Sequence, residues 1–415
     1  MAREEFITGL DIGSTKIRVA VGQIQPGSPN IHIVGAAEHD AQGISKGSVT
    51  SIDDAVSAMS SALETVERMT GIPSEHAFVG IGGTHIASLE SHGVVAVSRS
   101  DGELREDDIE RVVEAAQAVA TPPNYEILHV IPRTFSVDNQ RGIKDPVGMT
   151  GMRLEVDAQI IQGLSGQIKN TTKAVFRTGL SIDDLVLGSL AAAESALTKR
   201  QKELGVALVN IGGSTTSVVV FEEGDVMHVK VLPVGAGHIT NDIAIGLRTS
   251  IDLAEQVKIM AGTANPESIG KREDINLSEF EGGEDVAISK KHVAEIIEAR
   301  LEEIFKMVDR ELQSIDRSGL LPAGIVLTGG GAKLNGILDV AKSTFRLPAS
   351  VGLPQGIMTA IDKVNDPSFT TALGLVAWGA GNQDQGGLIG KIGNNFSSVT
   401  AVTGKMTSWI KHLLK

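Results

Sequence analysis

GLDIGSTKIRVAVG, residues 9–22, is matched in the second half of the chain by LVNIGGSTTSVVVFEEG, residues 208–224. Each stretch predicts a β-branched strand, a polar residue at its end, a Gly-Ser/Thr turn and a second alternating strand. Asp11 aligns with Asn210, and Gly13 aligns with Gly212. Two copies this far apart predict duplicated α/β halves that face each other, because a solenoid repeats at a much shorter period.

Both turns are suited to holding an anion. Backbone N–H groups of a tight turn can point at a negative charge, and glycine lets the backbone come close to it. One such turn alone would most simply be an ordinary hairpin, but two aligned copies in facing halves favour a phosphate clamp. Lys16 adds charge, and hydroxyl donors come from Ser14, Thr15, Ser214, Thr215 and Thr216.

A third glycine-rich loop follows a predicted buried strand in IVLTGGGAKLNG, residues 325–336. Gly329, Gly330 and Gly331 would form a flat backbone surface that admits a base or a ribose. The alternative for this loop alone is a strand-to-helix turn with a helix cap.

Composition limits the function classes. The chain has 415 residues, a net charge of −14 and no cysteine. The negative charge argues against nucleic-acid binding, since no basic field displaces counterions from phosphates. The lack of cysteine excludes disulfides and favours a reducing compartment. The first residues do not resemble a signal peptide, and no apolar run is long enough to span a bilayer.

Between the two hairpins, predicted strands and helices alternate as in sheets covered by helices. Helices are predicted at residues 52–69, 240–261 and 289–315, and a mobile loop at 265–285. A small α+β subdomain is predicted as an insertion at 84–162. The other predicted units are two core subdomains (1–83, 163–205 and 360–381; 206–233 and 314–359), a further subdomain (234–313) and a flexible linker (382–404).

The last eleven residues, 405–415, predict an amphipathic helix at a membrane surface. The apolar residues recur at helical spacing and form one stripe, which basic residues flank without any acid. Such a helix with Trp on its apolar face is typical of an interface with anionic lipid. Its alternative is docking on the protein's own body. The stripe is Met406, Trp409, Ile410, Leu413 and Leu414, and the flanking lysines are Lys405, Lys411 and Lys415.

Taken together, these residues resemble the actin, Hsp70 and sugar-kinase superfamily, in which two ribonuclease-H-like halves enclose a nucleotide cleft. Within it, the chain is similar to the FtsA family of bacterial cell-division proteins. The stretches that carry the resemblance are GLDIGSTKI, the block at 80–163, VLPVGAGHITNDIA, IVLTGGGAKLNGI and PSFTTALGLVAWGA. The inserted subdomain and the C-terminal helix fit the same family.

The resemblance implies ATP and Mg²⁺ as ligands. The two hairpins would hold the β- and γ-phosphates, and Asp11 would contact Mg²⁺ through water. Glu255 and Lys258 would contact the ribose and base, although an i,i+3 surface ion pair is the alternative. The implied nucleotide-binding residues are Gly13, Ser14, Thr15, Lys16, Asn210, Gly212, Gly213, Ser214, Thr215, Thr216, Glu255, Lys258, Gly329, Gly330, Gly331 and Lys333.

Two departures from the superfamily pattern bear on catalysis. Asn210 stands where an acid usually helps to place magnesium and water, and Asn supplies no charge and cannot accept the water's proton. On the helix predicted at residues 188–197, the nearest acid is Glu194, about two turns from the usual position. We therefore expect nucleotide binding with at most slow hydrolysis. A sugar-kinase activity would need a catalytic Asp for which the sequence offers no candidate.

The family resemblance also implies partners. They are the C-terminal peptide of the tubulin-like protein FtsZ, further copies of the chain in a filament, anionic lipid, and other division proteins through the inserted subdomain. Lys290, Lys291 and Arg300 would contact the FtsZ peptide, unless they form a solvated basic stretch. The expected location is the cytoplasmic face of the cell membrane at the division site. The alternative within the same fold is a pilus-assembly adaptor that binds a membrane protein's peptide.

Overall fold

The structure is a computed structural model that describes residues 5–24, 31–118, 121–270 and 272–383. Predictions for residues 384–415, including the terminal amphipathic helix, lie outside these ranges. The strands are β1 (Glu5–Ile12), β2 (Lys16–Ile24), β3 (Ile31–Asp40), β4 (Ile44–Ser45), β5 (Ser48–Val49), β6 (His76–Ile81), β7 (Ile86–Ala96), β8 (Tyr125–Val137), β9 (Gln140–Ile143), β10 (Arg153–Leu164), β11 (Ser181–Leu187), β12 (Val206–Ile211), β13 (Thr216–Glu222), β14 (Asp225–Leu232), β15 (Asp274–Asn276), β16 (Ala287–Ser289), β17 (Ile325–Thr328), β18 (Ala349–Val351) and β19 (Ile357–Thr359).

The helices are α1 (Ile52–Thr70), α2 (Glu106–Ala118), α3 (Ser165–Arg177), α4 (Gly188–Ala196), α5 (Lys199–Leu204), α6 (Ala236–Leu247), α7 (Ile251–Ala261), α8 (Lys290–Ser314), α9 (Ile337–Phe345) and α10 (Thr370–Gln383). Among the described residues, no helix has both the length and the apolar character needed to cross a membrane.

Five strands of the two large sheets share one topology, and the first sheet adds a sixth strand, β19, beside β3; the shared part confirms the predicted duplication. The first sheet has the order β11-β6-β1-β2-β3-β19, and the second has the order β14-β13-β12-β17-β18. In each half, an antiparallel hairpin continues into a third antiparallel strand, and parallel strands join on the other side. Both hairpin turns therefore lie at the same end of equivalent central strands.

A separate four-stranded sheet, β7-β10-β8-β9, forms the inserted α+β unit. Helix α2 covers β7 so closely that a Cβ on Gly93 would overlap the carbonyl oxygen of Val112. The core of this unit includes Leu104, Ile109 and Leu154, which are almost completely buried. The insertion predicted at residues 84–162 is thus a folded unit with its own core.

Helices α4 and α10 pack at the junction of the two halves. A Cβ on Gly374 would overlap the carbonyl oxygen of Ala191, so glycine permits direct backbone contact between these helices. Beside them, the Thr328 hydroxyl lies 2.6 Å from that of Thr370, and both donate to the Pro367 carbonyl. These buried contacts tie β17 of the second half to α10, which packs on the first sheet.

Two expectations from the sequence are wrong in detail. The helix predicted at 240–261 is interrupted: Arg248 adopts a left-handed conformation (φ 55°) that ends α6, and the Ser250 side chain caps α7. The stretch at 265–285, expected to be a mobile loop, contributes β15 and packs Ile275, Leu277 and Phe280 into the core of the second half. Burial of these three residues stabilises a segment whose composition is otherwise polar.

Candidate functional site

The candidate site is a cleft between the two halves, where the β1–β2 and β12–β13 turns meet. The turns are close enough that a Cβ on Gly213 would overlap the side-chain methyl group of Thr15. The lining residues come from both hairpins, the β4–β5 turn, the ends of β6 and β11, the loop after β17, and the starts of α4 and α10. They are Asp11, Ile12, Gly13, Ser14, Thr15, Lys16, Arg18, Gly47, Gly80, Ile81, Gly82, Gly83, Leu187, Gly188, Ser189, Asn210, Gly212, Gly213, Thr215, Ser217, Gly329, Gly330, Ser368 and Thr371.

In the first turn, the Ser14 hydroxyl and the Lys16 ammonium have different partners. The Ser14 hydroxyl accepts a hydrogen bond from the Gly47 N–H (2.9 Å), so a second loop is fastened to this turn. The Lys16 ammonium lies 2.6 Å from Asp40 at an exposed edge of the sheet. Lys16 therefore lines the cleft while its charge is already partly neutralised.

Asp11 is the only carboxylate among the described residues that line the cleft. Burial raises its pKa from 3.8 to about 6, although the nearby Arg18 guanidinium acts in the opposite direction. Burial makes ionisation of this carboxyl group unfavourable, so a bound cation would stabilise its charged form. The position is thus suited to an acid that contacts a metal ion directly or through water.

The second turn is held from both sides. Gly212 and Gly213 accept hydrogen bonds from the N–H groups of Ala236 and Gly237, at the start of α6 (2.8 and 2.7 Å). Asn210 donates to the Thr371 hydroxyl (3.3 Å) and so links β12 to α10. The N-terminus of α6 therefore supports the turn.

The predicted hydroxyl donors of this turn differ in placement. Thr215 lines the cleft, whereas Ser214 does not. The Thr216 hydroxyl is fully buried and has no hydrogen-bond partner among the described residues. Of the three, Thr215 is the one placed to reach a ligand in the cleft.

The third loop faces the second turn. Gly329 has φ 83°, and a Cβ there would overlap the Asn210 side chain, so only glycine suits this position. Gly329 and Gly330 line the cleft. Gly331 packs on Ile211 instead, and the Lys333 ammonium pairs with Asp366 at 2.5 Å.

Glu255 and Lys258 lie behind the second turn, outside the residues that line the cleft. The two residues form the i,i+3 ion pair that the sequence left as the alternative, with the Lys258 side chain buried and the Glu255 carboxylate partly exposed. The Lys258 ammonium donates to Glu255 (2.6 Å) and Thr240 (2.8 Å), and it also reaches the Ala236 carbonyl (3.4 Å). This network joins α7 to the start of α6, which supports the turn.

The three basic residues on α8 are each paired with an acid of the same chain. Lys290 lies 3.4 Å from Glu273, and Lys291 lies 3.3 Å from Glu267. Arg300 makes two hydrogen bonds to Asp242, at 2.5 and 2.9 Å. An acidic ligand here would have to compete with these carboxylates.

Several cleft residues were not singled out as candidates from the sequence. Gly82 and Gly83 follow β6, Ser189 lies in the first turn of α4, and Ser368 and Thr371 flank the start of α10. The Ser189 hydroxyl is buried without a hydrogen-bond partner among the described residues. Gly82-Gly83 after a short buried strand was the available signal. The two segments around α4 and α10 reach the cleft through long-range packing, which leaves no local pattern.

The family comparisons agree with this geometry. Residues 207–374 match the family model for the cell division protein FtsA, and residues 83–162 match the model for the SHS2 domain inserted in FtsA. Over 410 residues the chain is 37% identical to the cell division protein FtsA of Pseudomonas aeruginosa, covering 98% of each protein. It is 38% identical over 382 residues to FtsA of Bacillus subtilis, covering 92% of this chain and 85% of the relative. The chain belongs to the FtsA family of cell division proteins.

Solved structures with low sequence identity support the fold of this FtsA-family chain. A chain of the PilM-PilN type IV pilus biogenesis complex superposes with a TM-score of 0.66 at 16% identity, covering 90% of this chain and 98% of that one. MreB 5 of Spiroplasma citri bound to AMPPNP gives 0.55 at 12% identity, covering 93% and 99%. The predicted actin-like fold is thereby confirmed. The identities above 30% to cell division proteins favour the division family over the pilus alternative.

The raised pKa of Asp11 makes a testable prediction about stability. The folded chain keeps this proton up to about pH 6, whereas the unfolded chain releases it near 3.8. The contribution of Asp11 to stability is therefore full below its ordinary pKa and is lost as pH rises through about 6. Asp11→Asn should raise the free energy of unfolding of the ligand-free protein at pH 7.5 by about 1–2 kcal/mol, as measured by urea denaturation.

Asp366→Asn is a control for which we expect the free energy of unfolding to change in the opposite direction. Burial alone would raise the pKa of Asp366, but hydrogen bonds from Lys333 and Ser368 outweigh it and hold that pKa below its usual value. Its replacement should lower stability at pH 7.5. If the Asp11→Asn protein is no more stable than the wild type, ionisation of Asp11 does not destabilise the folded chain, and this prediction is wrong.

Proposed function

We propose that this FtsA-family chain binds Mg²⁺-ATP in the cleft and acts as an actin-like scaffold of the division machinery. The observation that carries the proposal is the contact between the two hairpin turns, with Thr15 of one half against Gly213 of the other. A ligand with several phosphates would engage backbone N–H groups of both turns at once. Binding would then stabilise the closed arrangement of the halves by mass action.

The residues present fit such a ligand. Apart from the adjacent residues of the chain, no heavy atom of the described residues lies within 4 Å of where a Cβ would stand on Gly82 or Gly330, so the glycine surfaces leave open space. The buried Ser189 hydroxyl lines the same cleft and needs a partner. The AMPPNP bound to MreB 5, a protein of the same fold, agrees with this use of the cleft. We assign the phosphates to the two hairpin turns, the adenosine to Gly329 and Gly330, and the water-mediated contact with Mg²⁺ to Asp11.

The same residues favour binding over rapid turnover. Asn210 is engaged with Thr371 and offers no carboxylate to the cleft. Glu194 is exposed, and its carboxylate lies 2.7 Å from the Lys202 ammonium, away from the lining residues. Among the described residues that line the cleft, Asp11 is then the one acid, and none of them is a histidine. ATP would act chiefly as a structural ligand, with slow hydrolysis at most.

The scaffold role extends the proposal to the membrane and to FtsZ. Residues 405–415 would bind anionic lipid through their predicted apolar stripe and lysines. A single short helix binds weakly, so a filament that presents many of them would gain by avidity. Lys290, Lys291 and Arg300 would receive the acidic C-terminal peptide of FtsZ in exchange for their present carboxylate partners. The chain would thus tether the FtsZ ring to the cytoplasmic face of the membrane.

Closing the space between the turns should weaken nucleotide binding. In Gly213→Ala, the new methyl group would strike Thr15 and push the turns apart. We expect the affinity for Mg²⁺-ATP to fall about tenfold or more, the effect of losing one charge-assisted hydrogen bond. Isothermal titration calorimetry measures the change.

Two variants make this test specific. Adding Thr15→Ser to Gly213→Ala removes the methyl group that the alanine would strike, and it should recover part of the affinity. Gly166→Ala introduces the same methyl group on α3, where nothing lies within 4 Å, and should bind ATP like the wild type. Unchanged binding by Gly213→Ala would contradict the phosphate clamp.

The tether can be tested by pelleting vesicles that contain anionic lipid, in the presence of Mg²⁺-ATP and FtsZ. Trp409→Glu should weaken vesicle binding at least tenfold, because it removes roughly 2 kcal/mol of apolar burial, and FtsZ should no longer pellet. Ser408→Glu adds the same charge on the opposite face of the predicted helix and should have a small effect. Equal pelleting of Trp409→Glu and Ser408→Glu would remove the anchor from the proposal.

The contact with FtsZ has its own test in the same assay. The Lys291→Glu variant should pellet normally but carry less FtsZ.

A further inference from the structure

A tight turn next to the cleft contains a residue type that its backbone conformation disfavours. Strands β4 and β5 are joined by Lys46 and Gly47, whose φ angles are 50° and 75°. Two positive φ angles are the hallmark of a hairpin turn that prefers Asn-Gly, Asp-Gly or Gly-Gly. A lysine is disfavoured in the left-handed conformation because its Cβ crowds the backbone. A residue kept against its conformational preference is a reason to look for a function.

The turn is clamped against the phosphate-binding hairpin. The Gly47 N–H donates to the Ser14 hydroxyl at 2.9 Å, and the Thr84 N–H donates to the Lys46 carbonyl at 3.3 Å. A Cβ on Gly47 would overlap Gly83, so the turn lies directly on the backbone that follows β6. Gly47 and Gly83 both line the cleft. The backbone of Lys46 is therefore fixed from two sides at the edge of the site.

Lys46 also carries a charge that pairs with no acid in the described part of the chain. Among the described residues, two cations line the cleft, and each already lies next to an acid. Lys16 pairs with Asp40, and Arg18 lies 3.3 Å from Glu38. Lys46 is exposed and forms no ion pair with any described residue. Lys46 itself does not line the cleft, but its neighbour Gly47 does. A polyphosphate bound beside Ser14 would therefore lie next to this turn, where the flexible, exposed Lys46 side chain can turn toward it without leaving a carboxylate.

We propose that Lys46 is a phosphate-contacting residue whose ammonium group binds the terminal phosphate of the nucleotide. The disfavoured turn is kept because it holds this charge beside Ser14. The inference rests on the proposed nucleotide binding and deepens it by naming a cation for the cleft. The contact would favour a triphosphate over a diphosphate, since the added phosphate carries the added charge.

The test uses two effects of opposite sign. Lys46→Asn places a preferred residue in the turn, so the melting temperature of the nucleotide-free protein should rise by about 1–2 °C. The same variant should weaken ATP binding about tenfold and ADP binding by no more than about threefold, because it removes a charge-assisted contact to the terminal phosphate. Lys46→Arg keeps the charge and should retain most of the affinity for ATP.

Glu223→Asn is the matched control. Glu223 and Gly224 join β13 to β14 with φ angles of 53° and 85°, but Gly224, unlike Gly47, does not line the cleft. This variant should gain similar thermal stability and leave ATP and ADP binding unchanged.

Three outcomes would overturn the inference. Equal loss of ATP and ADP affinity in Lys46→Asn, or no loss of either, would show that Lys46 does not select the terminal phosphate. A lower melting temperature in Lys46→Asn would show that the lysine stabilises the fold. A wild-type chain that binds no nucleotide in the same titration would instead overturn the proposed function itself, and this inference with it.

Discussion

The contact between two glycine-containing turns, one from each half of the molecule, determines how the rest of the structure is arranged. Thr15 touches Gly213 at a distance that leaves no room for even one methyl group on the glycine. The turns can come this close because each follows the central strand of its sheet and five strands of the two sheets share one topology. The chain thereby brings two sets of backbone N–H groups to one point, where an anion can bridge them.

The surrounding packing maintains this approach. The start of α6 supports the second turn through Ala236 and Gly237, and Lys258 holds α7 to the same place. The turn that contains Lys46 supports the first hairpin through Ser14. At the junction of the halves, Asn210 and the buried threonines link the second sheet to α10. The site is therefore defined by contacts within each half and by a shared hydrophobic cluster, in which α4 of the first half packs against β12 and β13 of the second.

Features with a local signal could be predicted from the sequence. Alternating β-branched residues around Gly-Ser/Thr turns indicated both hairpins, and three consecutive glycines indicated the loop at 329–331. Features created by tertiary packing could not be predicted in the same way. The loop with Lys46 reaches the site only because Gly47 packs on Gly83, and Ser189 and Thr371 arrive through the contact between α4 and α10. Likewise, the burial of Ile275, Leu277 and Phe280 ordered a stretch that composition alone assigns to a loop.

The central claim is that nucleotide bridges the two halves by engaging both turns. Hydrogen–deuterium exchange of the unmodified chain, with and without Mg²⁺-ATP, tests it most directly because exchange reports each turn separately. We expect backbone amides near residues 11–16, 210–216 and 329–331 to gain protection together. The four-stranded inserted sheet should exchange at the same rate in both conditions. Protection confined to the turn of one half, or no change in either turn, would contradict the claim.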